Sequence, residues 1–424
     1  MKVLRAGLCM LLAFSVLSFG AVQVWSQSVL EMGVALLLLI WAFLMLRDSR
    51  AKIYWSPLNW PLLGFIAVGL FQLLFHQTAY PFLTRTDLLK LSVYFLFFFL
   101  TAQAFRGKEE ISALVWFVVL FCFAISLLGI IQHFTSEQEI YWLPSIHVRG
   151  DPFGPYVNRN HFAGFVEITL PTGLALMVFR GVRRDLFALT GLLTIVPVSA
   201  MILAGSRGGI VGFALEIGVL AFLAVRHRAA GGARLAAIGI VALAACTLVV
   251  WVGAESAIQR FSALQSKDPS LARRISMSRG ALRIFRDHPI EGAGLGTVVS
   301  VYPFYETVYD GKLVDHVHND YTELLAEEGL LGGLCGLAFL WLLYREARAT
   351  YEAEQSHFSR AVHAGSIVAL SGLLLHSLVD FNLHIPSNAL LFLLQAYLAA
   401  SVPLPQEIAS RAHSHAARVP TVVS

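Results

Sequence analysis

Long apolar runs, separated by short polar segments, recur along nearly the whole chain of 424 residues. A helix needs about 20 apolar residues to cross the hydrocarbon core of a bilayer. These runs are apolar around the whole helix and not on one stripe, as expected of helices that face lipid and one another. The pattern predicts an all-α polytopic membrane protein with about twelve spans. The runs lie near residues 6–25, 29–46, 59–76, 87–105, 111–131, 161–179, 186–204, 208–225, 235–253, 324–344, 361–380 and 386–402.

The composition agrees with this class and excludes several others. Hydrophobic residues make up 57% of the chain and charged residues 14%, where a soluble protein has roughly 25% charged residues. An ordinary soluble enzyme, a disordered chain and a secreted disulfide-rich scaffold are therefore excluded. A net charge of +4 on so apolar a chain does not indicate a nucleic-acid partner. The four cysteines all lie in apolar runs, and we interpret them as small buried hydrophobic residues.

The basic residues of the loops predict the orientation, because cytoplasmic loops carry an excess of lysine and arginine. With twelve spans, the basic loops all fall on one side, so both termini are expected in the cytoplasm. The first run follows Lys2 and Arg5 without a small-residue cleavage site, and we interpret it as a retained signal anchor. The expected divisions are nine spans within 1–253 with a periplasmic loop at 132–160, a long periplasmic loop at 254–323, three spans within 324–402, and a cytoplasmic tail at 403–424.

The long periplasmic loop contains an amphipathic segment rich in arginine. A helix beginning at Ser270 places Leu271, Ile275, Leu282 and Phe285 on one apolar stripe, and it ends at His288-Pro289. Such a helix suits the membrane interface, with its guanidinium groups at headgroup depth. It attaches either to anionic lipid in general or to one phosphate-bearing lipid that the planar guanidinium fork recognises. The arginines of this helix are Arg273, Arg274, Arg279, Arg283 and Arg286.

Arg207 stands out because it lies between two spans, within Gly205-Ser206-Arg207-Gly208-Gly209. A charge at the membrane boundary is costly unless it is paired or functional. Glu167 and Glu216 lie within spans and are candidate counter-charges; the alternative is an arginine that snorkels from a helix end. The glycine-rich segment 292–296 lacks the strand and the acidic residue of a dinucleotide site, so we interpret it as a flexible turn.

A histidine pair ends the long loop, in Asp315-His316-Val317-His318-Asn319-Asp320-Tyr321. His316 and His318 could bind zinc, but a two-histidine pair without a third placed ligand is weak evidence for a metal site. A general base is the better chemical interpretation, since a histidine can take a proton from a hydroxyl near neutral pH. A solvated loop histidine remains the alternative.

The order of these segments resembles the O-antigen ligase and polymerase superfamily. The resemblance is carried by Gly205-Ser206-Arg207-Gly208 between two spans, then Arg274 ahead of segment 288–296, then His318-Asn319-Asp320 followed by Glu327 and Gly329. Segments 158–164 and 376–382 are also similar to members of this group. The similarity extends from about 150 to 390 and includes the span count and the long outer loop.

Members of this superfamily are glycosyltransferases of the bacterial inner membrane, so the resemblance implies glycan transfer at the periplasmic face. The donor would be a glycan on undecaprenyl diphosphate, and the acceptor the lipid A core, a growing chain or a protein. By motif, Arg207 and Arg274 correspond to the arginines that hold the diphosphate, and His318 to the catalytic histidine. Many relatives carry an aromatic residue where this chain has Ser278, which leaves open whether Arg274 or Arg279 is the direct ligand. The resemblance implies neither a metal ion nor another cofactor.

These residues suggest a mechanism in which His318 accepts the proton of the acceptor hydroxyl while arginines stabilise the departing diphosphate. Glu327 is expected to orient His318 or a loop amide, or else to form a structural ion pair. The other predicted residues are Arg279 and Arg159 at the diphosphate, and His316, Asn319, Asp320 and Tyr321 around His318.

The expected function is therefore transfer of the O-antigen ligase type to lipid A core, or a related step of surface polysaccharide synthesis. A polysaccharide polymerase or a protein O-oligosaccharyltransferase of the same superfamily is the alternative. A multi-pass transporter or flippase is the alternative from another class, favoured by the span count and by Glu216. Transporters usually show paired halves with polar sites at the midplane, whereas the polar clusters here lie at the outer boundary.

Overall fold

The computed structural model describes residues 1–47, 52–136, 139–143, 151–227, 269–307, 309, 311, 313–354 and 356–401. In these ranges the regular elements are helices and short 3₁₀ turns, apart from one isolated bridge between Phe153 and Tyr156. The predicted all-α class is confirmed. The helices are α1 (Lys2–Leu17), α2 (Val24–Arg47), α3 (Asn59–Leu74), α4 (Pro81–Ala104), α5 (Lys108–Thr135), α6 (Arg159–Val178), α7 (Phe187–Ala204), α8 (Arg207–Arg226), α9 (Pro269–Asp287), α10 (Val298–Val301), α11 (Asp320–Ala353), α12 (His357–His376) and α13 (Pro386–Ala400).

Within the described ranges, 8 helices are long and apolar enough to cross a membrane: α2, α4, α5, α6, α7, α8, α11 and α12. Helices α3 and α13 are apolar but shorter. The protein is thus a polytopic membrane protein, and its total of twelve spans stays a prediction. The predicted run 235–253, the loop start 254–268 and the tail 403–424 lie outside the described residues.

Helix α6 lies at the centre of the helical bundle. Nearly all of its residues are buried, and it contacts α5, α7, α8, α12 and α13. Because an amide inside a membrane protein must find a partner, polar bonds recur at these contacts. Gln395 of α13 donates to the Ile168 carbonyl at 2.7 Å, and Asn388 donates to the His161 carbonyl at 3.0 Å. These bonds hold α6 against α13.

Helix α11 is interrupted at Gly329, whose φ of 60° and ψ of −153° lie outside the helical region. The glycine-rich turn packs on this break. The Ala293 amide donates to the Ala326 carbonyl at 2.9 Å, and the Leu330 amide donates to the Pro289 carbonyl at 2.9 Å. Gln72 of α3 adds a bond to the Glu327 carbonyl at 2.7 Å. Segment 292–296 is therefore a turn held by backbone hydrogen bonds, and it satisfies groups that the break would leave unpaired.

Helix α9 confirms the predicted amphipathic helix, and it buries a face next to the predicted stripe. Met277, Ala281 and Ile284 pack in a small second core with residues of the turn and of α11, whereas Ile275 and Leu282 are exposed. The exposed stripe leaves apolar side chains free for an interface. The buried face holds α9 across the end of the bundle and so places its first arginines over the loop that carries His318.

Candidate active site

The carboxyl end of α12 forms the floor of the candidate site. The last carbonyls of a helix have no partner within the helix. Here the donors come from the loop before α11 and from the first residues of α11. The Tyr321 hydroxyl donates to the Leu374 carbonyl at 2.7 Å, the Asp320 amide to the Ser377 carbonyl at 3.0 Å, and the Asn319 side-chain amide to the Leu378 carbonyl at 2.9 Å. Asn319 also caps α11, because its side-chain oxygen accepts the amides of residues 321 and 322. The predicted supporting residues thus lock this loop to the end of α12.

His318 lies in this loop with its side chain 23% exposed. Its φ of +53° is in the left-handed region, a strained conformation for a residue with a side chain and one that clusters at functional sites. The His318 Nδ1 atom lies 3.1 Å from Asp380 Oδ1, and the ring packs edge-on against Phe381 at 4.8 Å. These contacts fix the orientation of the ring and engage its Nδ1 atom.

Asp380, four residues after the end of α12, is fully buried at 0% exposure. Besides His318, it faces Arg274 Nη2 at 3.6 Å and His161 Nε2 at 3.9 Å. Burial raises the pKa of the Asp380 carboxyl, but the hydrogen bond from His318 and the nearby His161 and Arg274 outweigh it and hold the pKa well below its usual range. Asp380 is therefore a carboxylate that couples one histidine to one arginine.

Arg274 reaches the site from the first turns of α9. Its guanidinium group donates to the Val379 carbonyl and faces Asp380, while 25% of the side chain stays exposed. Arg279 is exposed one turn further along the helix. The structure thus places Arg274 beside His318 and Asp380, which favours it over Arg279 as the arginine that acts at this site.

Arg207 is the first residue of α8 and is half-buried. Ser206 caps the helix by accepting the Gly209 amide at 3.2 Å. Gly208 packs directly against His376 and Val379, so the amino-terminal end of α8 adjoins the turn that carries Asp380. Arg159 begins α6, where Nη1 pairs with Asp151 at 2.9 Å. Two helix amino termini, each with an arginine, thus point towards the same end of the bundle.

Glu327 is not the residue that contacts His318. Its carboxylate is buried and accepts the Val298 amide of α10 at 3.0 Å. The structure therefore gives Glu327 a contact with a loop amide, and the partner of His318 is Asp380.

The two histidines of the loop contact different carboxylates. The His316 Nδ1 atom lies 2.5 Å from Glu323 Oε1, and its ring stacks on Phe381 at 4.5 Å. His384, after α12, pairs through Nδ1 with Asp320 at 2.7 Å, and its Nε2 lies 3.5 Å from Glu323. Burial lowers the pKa of His384, but Glu323 and Asp320 raise it to about 10. His316 and His318 therefore do not act as a pair of ligands on one ion.

The two intramembrane acids, Glu167 and Glu216, lie deeper in the bundle. Glu167 Oε2 of α6 lies 2.6 Å from His376 Nδ1 of α12. Glu216 of α8 packs against Gly372 of α12 and is buried with no hydrogen-bond partner among the described residues. The Glu167–His376 contact joins α6 to the last turn of α12 and so supports the turn that carries Asp380.

Asp380 and His161 are the site residues that were missing from the predicted set. Both lie in segments whose similarity to the superfamily was noted, 376–382 and 158–164, so a signal was present. The sequence did not assign them because the pairing of Asp380 with His318 joins loops 62 residues apart.

Comparison with known proteins agrees with the motifs. Residues 192–337 match the family model described as O-antigen ligase, a range that contains Arg207, Arg274 and His318. The predicted resemblance to the O-antigen ligase family is confirmed over these residues. Teichuronic acid biosynthesis protein TuaE of Bacillus subtilis (strain 168) is 26% identical over 322 residues, which are 73% of this chain and 64% of TuaE. The chain thus matches less than two thirds of the length of that relative. Members of the O-antigen ligase family act on lipid-linked glycans in a lipid bilayer.

Proposed function

We propose that this protein is a glycosyltransferase that moves a glycan from undecaprenyl diphosphate to an acceptor hydroxyl at the periplasmic face of the bacterial inner membrane. The observation that carries the proposal is the chain of contacts from His318 through Asp380 to Arg274 at one end of the bundle. It combines a base with a cationic group, which are the two elements that transfer from a diphosphate donor requires. The positive-inside pattern supports the outward orientation of this end.

His318 serves as the general base in this proposal. The contact of Nδ1 with Asp380 favours the tautomer in which Nδ1 carries the proton and Nε2 is free to accept one. Nε2 takes the proton of the acceptor hydroxyl as its oxygen attacks the anomeric carbon. The bond from that carbon to the diphosphate oxygen breaks, and the diphosphate leaves with the electron pair. Asp380 then stabilises the imidazolium ion, and the single displacement inverts the anomeric centre.

Arg274 and Arg207 stabilise the diphosphate as its negative charge grows. Arg274 uses one edge of its guanidinium group on Val379 and Asp380 and stays partly exposed, which leaves further N–H groups for an anion. Arg207 stands at the amino terminus of α8, where the helix dipole and the first amides also favour an anion. Arg279 and Arg159 contribute at longer range.

An apolar groove beside the site suits the lipid part of the donor. It has a volume of 370 Å³ and lies between α3, α11 and α13. Leu62, Phe65, Leu324 and Phe392 line it, and Tyr321 lies at its polar end, three residues from His318. A polyprenyl chain in this groove would keep its tail among the spans while the diphosphate reaches the outer boundary.

The acceptor decides between a ligase and a polymerase. O-antigen ligase-type transfer to lipid A core, or a related surface polysaccharide step, is the function that the family model supports. The similarity to a teichuronic acid biosynthesis protein supports a polymerase that extends a glycan chain as the second candidate.

A transfer assay with purified components tests the proposal. The protein in detergent or liposomes is mixed with an undecaprenyl diphosphate-linked glycan and either a lipid A core or a second glycan as acceptor. We expect a new glycan linkage and release of undecaprenyl diphosphate, with the preferred acceptor separating ligase from polymerase. Movement of the intact donor between leaflets without a new linkage would instead identify a transporter or flippase and overturn the proposal.

Replacing Arg274 or Arg207 with lysine is expected to lower the transfer rate by about 10²-fold or more, because a point charge cannot reproduce a bidentate guanidinium contact. The rate and the donor KM are measured in the same assay. Arg283→Lys is the matched control, since Arg283 is exposed on the opposite face of α9 from Arg274 and its replacement should leave both values unchanged. Wild-type rates in both lysine variants would remove these arginines from the diphosphate site.

A further inference from the structure

Three side chains from separate segments converge next to the proposed active site. His316 precedes His318 in the loop, Glu323 lies in the first turn of α11, and His384 follows α12. One ligand atom from each lies within 4.8 Å of the other two. The Glu323 side chain is 1% exposed, so its charge is held away from water. A buried carboxylate between two imidazoles is a donor set that suits a divalent transition metal.

The surroundings of these side chains resemble those of metal ligands. A ligating histidine usually donates its second nitrogen to a carboxylate, which fixes the ring and the tautomer. His384 does this: Nδ1 lies 2.7 Å from Asp320, and Nε2 faces Glu323 Oε1. The other Glu323 oxygen, Oε2, accepts the Val317 amide at 2.9 Å, which fixes the carboxylate with Oε1 facing both histidines.

The three ligand atoms lie within 4.8 Å of one another, and one of the distances is already that of a tetrahedral ion. Two ligands on one Zn²⁺, with bonds of about 2.0–2.1 Å, lie roughly 3.3 Å apart. His384 Nε2 and Glu323 Oε1 are 3.5 Å apart, close to this value. His316 Nδ1 and Glu323 Oε1 are 2.5 Å apart and must open by roughly 0.8 Å. His316 is half-buried at the loop surface, so its ring has room for this movement.

We propose that His316, Glu323 and His384 bind a Zn²⁺ ion through three protein ligands, with Asp320 orienting His384. The ion would join the loop that carries His318 to the segment that follows Asp380. It would therefore hold together the two segments whose side chains, His318 and Asp380, are in contact. Its role is to hold the loop, and the transfer step proposed above needs no ligand from it. The proposal therefore stands or falls independently of that reaction.

Zinc content of the purified protein tests the proposal. The full chain is prepared with an affinity tag that contains no histidine, stripped with EDTA, loaded with Zn²⁺ and dialysed, and its metal is measured by mass spectrometry. We expect about one zinc ion per chain, a rise in melting temperature on loading, and with Co²⁺ the visible absorption of a tetrahedral ion. Wild-type protein that retains less than about a tenth of a zinc ion per chain would refute the site.

Variants separate this site from zinc bound elsewhere. His384→Gln and Glu323→Gln should abolish retention, and Asp320→Asn should weaken zinc affinity by about 10–100-fold because it orients a ligand without binding the ion. His288→Gln changes an exposed histidine after α9 and should keep full zinc content. His316→Gln, at a half-buried residue, covers the case in which a buried variant fails to fold. Retention of wild-type zinc in folded His316→Gln and His384→Gln would overturn the assignment.

Discussion

Replacing His318 with alanine is expected to lower the rate of glycan transfer by about 10²- to 10⁴-fold, the usual contribution of a general base. His318 lies in the loop before α11 with Asp380 on one ring nitrogen, so alanine removes the group proposed to accept the hydroxyl proton. Donor binding should survive, because Arg207 and Arg274 remain. The measurement is kcat in the purified-component assay, together with the Kd of the donor lipid.

The control for this prediction is His288→Ala, which removes an exposed histidine from the same outer region. It should transfer glycan at the wild-type rate. A folded His318→Ala protein with normal kcat would eliminate His318 as the base, whatever its effect on stability.

Asp380→Asn is the second variant with a large expected effect, lowering kcat by about 10²- to 10⁴-fold. Asparagine keeps the shape of the side chain but removes the charge that stabilises the His318 imidazolium, and it leaves Arg274 without its counter-charge. Because Asp380 acts through His318 as a positioning residue, kcat should fall while the KM for the acceptor changes little. Asp380→Glu, which restores the charge, should recover part of the rate.

Asp287→Asn provides the matched comparison for the loss of one carboxylate. Asp287 ends α9 and accepts the Tyr305 hydroxyl at 2.7 Å in an exposed position, so its amide variant should keep normal kcat. If Asp380→Asn stays folded and transfers glycan at the wild-type rate, the proposed role of Asp380 is wrong. A uniform fall in melting temperature and activity that Asp380→Glu fails to relieve would assign it a structural role alone.

Most helices could be predicted from the sequence because each of them corresponds to a long run of apolar residues. Each apolar run in the described ranges overlaps a helix, although the run 6–25 extends beyond the end of α1 at Leu17; α9 was predicted from its apolar and arginine spacing and from His288-Pro289. Arg274 and His318 were singled out because their order along the chain resembles that of the superfamily, and their roles stay predictions. Local pattern is sufficient for these features.

The partner of His318 could not be predicted in the same way, because it depends on how two distant loops meet. Asp380 lies in segment 376–382, whose similarity to the superfamily marks the segment but does not say which side chain Asp380 contacts. The break at Gly329 is similar: the run 324–344 predicts one continuous span, but α11 starts at Asp320 and changes direction within the run. Only the packing of the turn 292–296 on that break explains why Glu327 faces Val298.

The bonds at the end of α12 couple the docking of the loop that carries His318 to the folding of the helical bundle. Four carbonyls, of Leu374, Ser377, Leu378 and Val379, receive their donors from Tyr321, Asp320, Asn319 and Arg274. A chain whose outer loop has not docked leaves these groups unpaired near the lipid boundary, where unpaired carbonyls are costly. An undocked loop would thus also make the end of α12 less stable, so the geometry around His318 and the stability of this end of the bundle depend on the same four bonds.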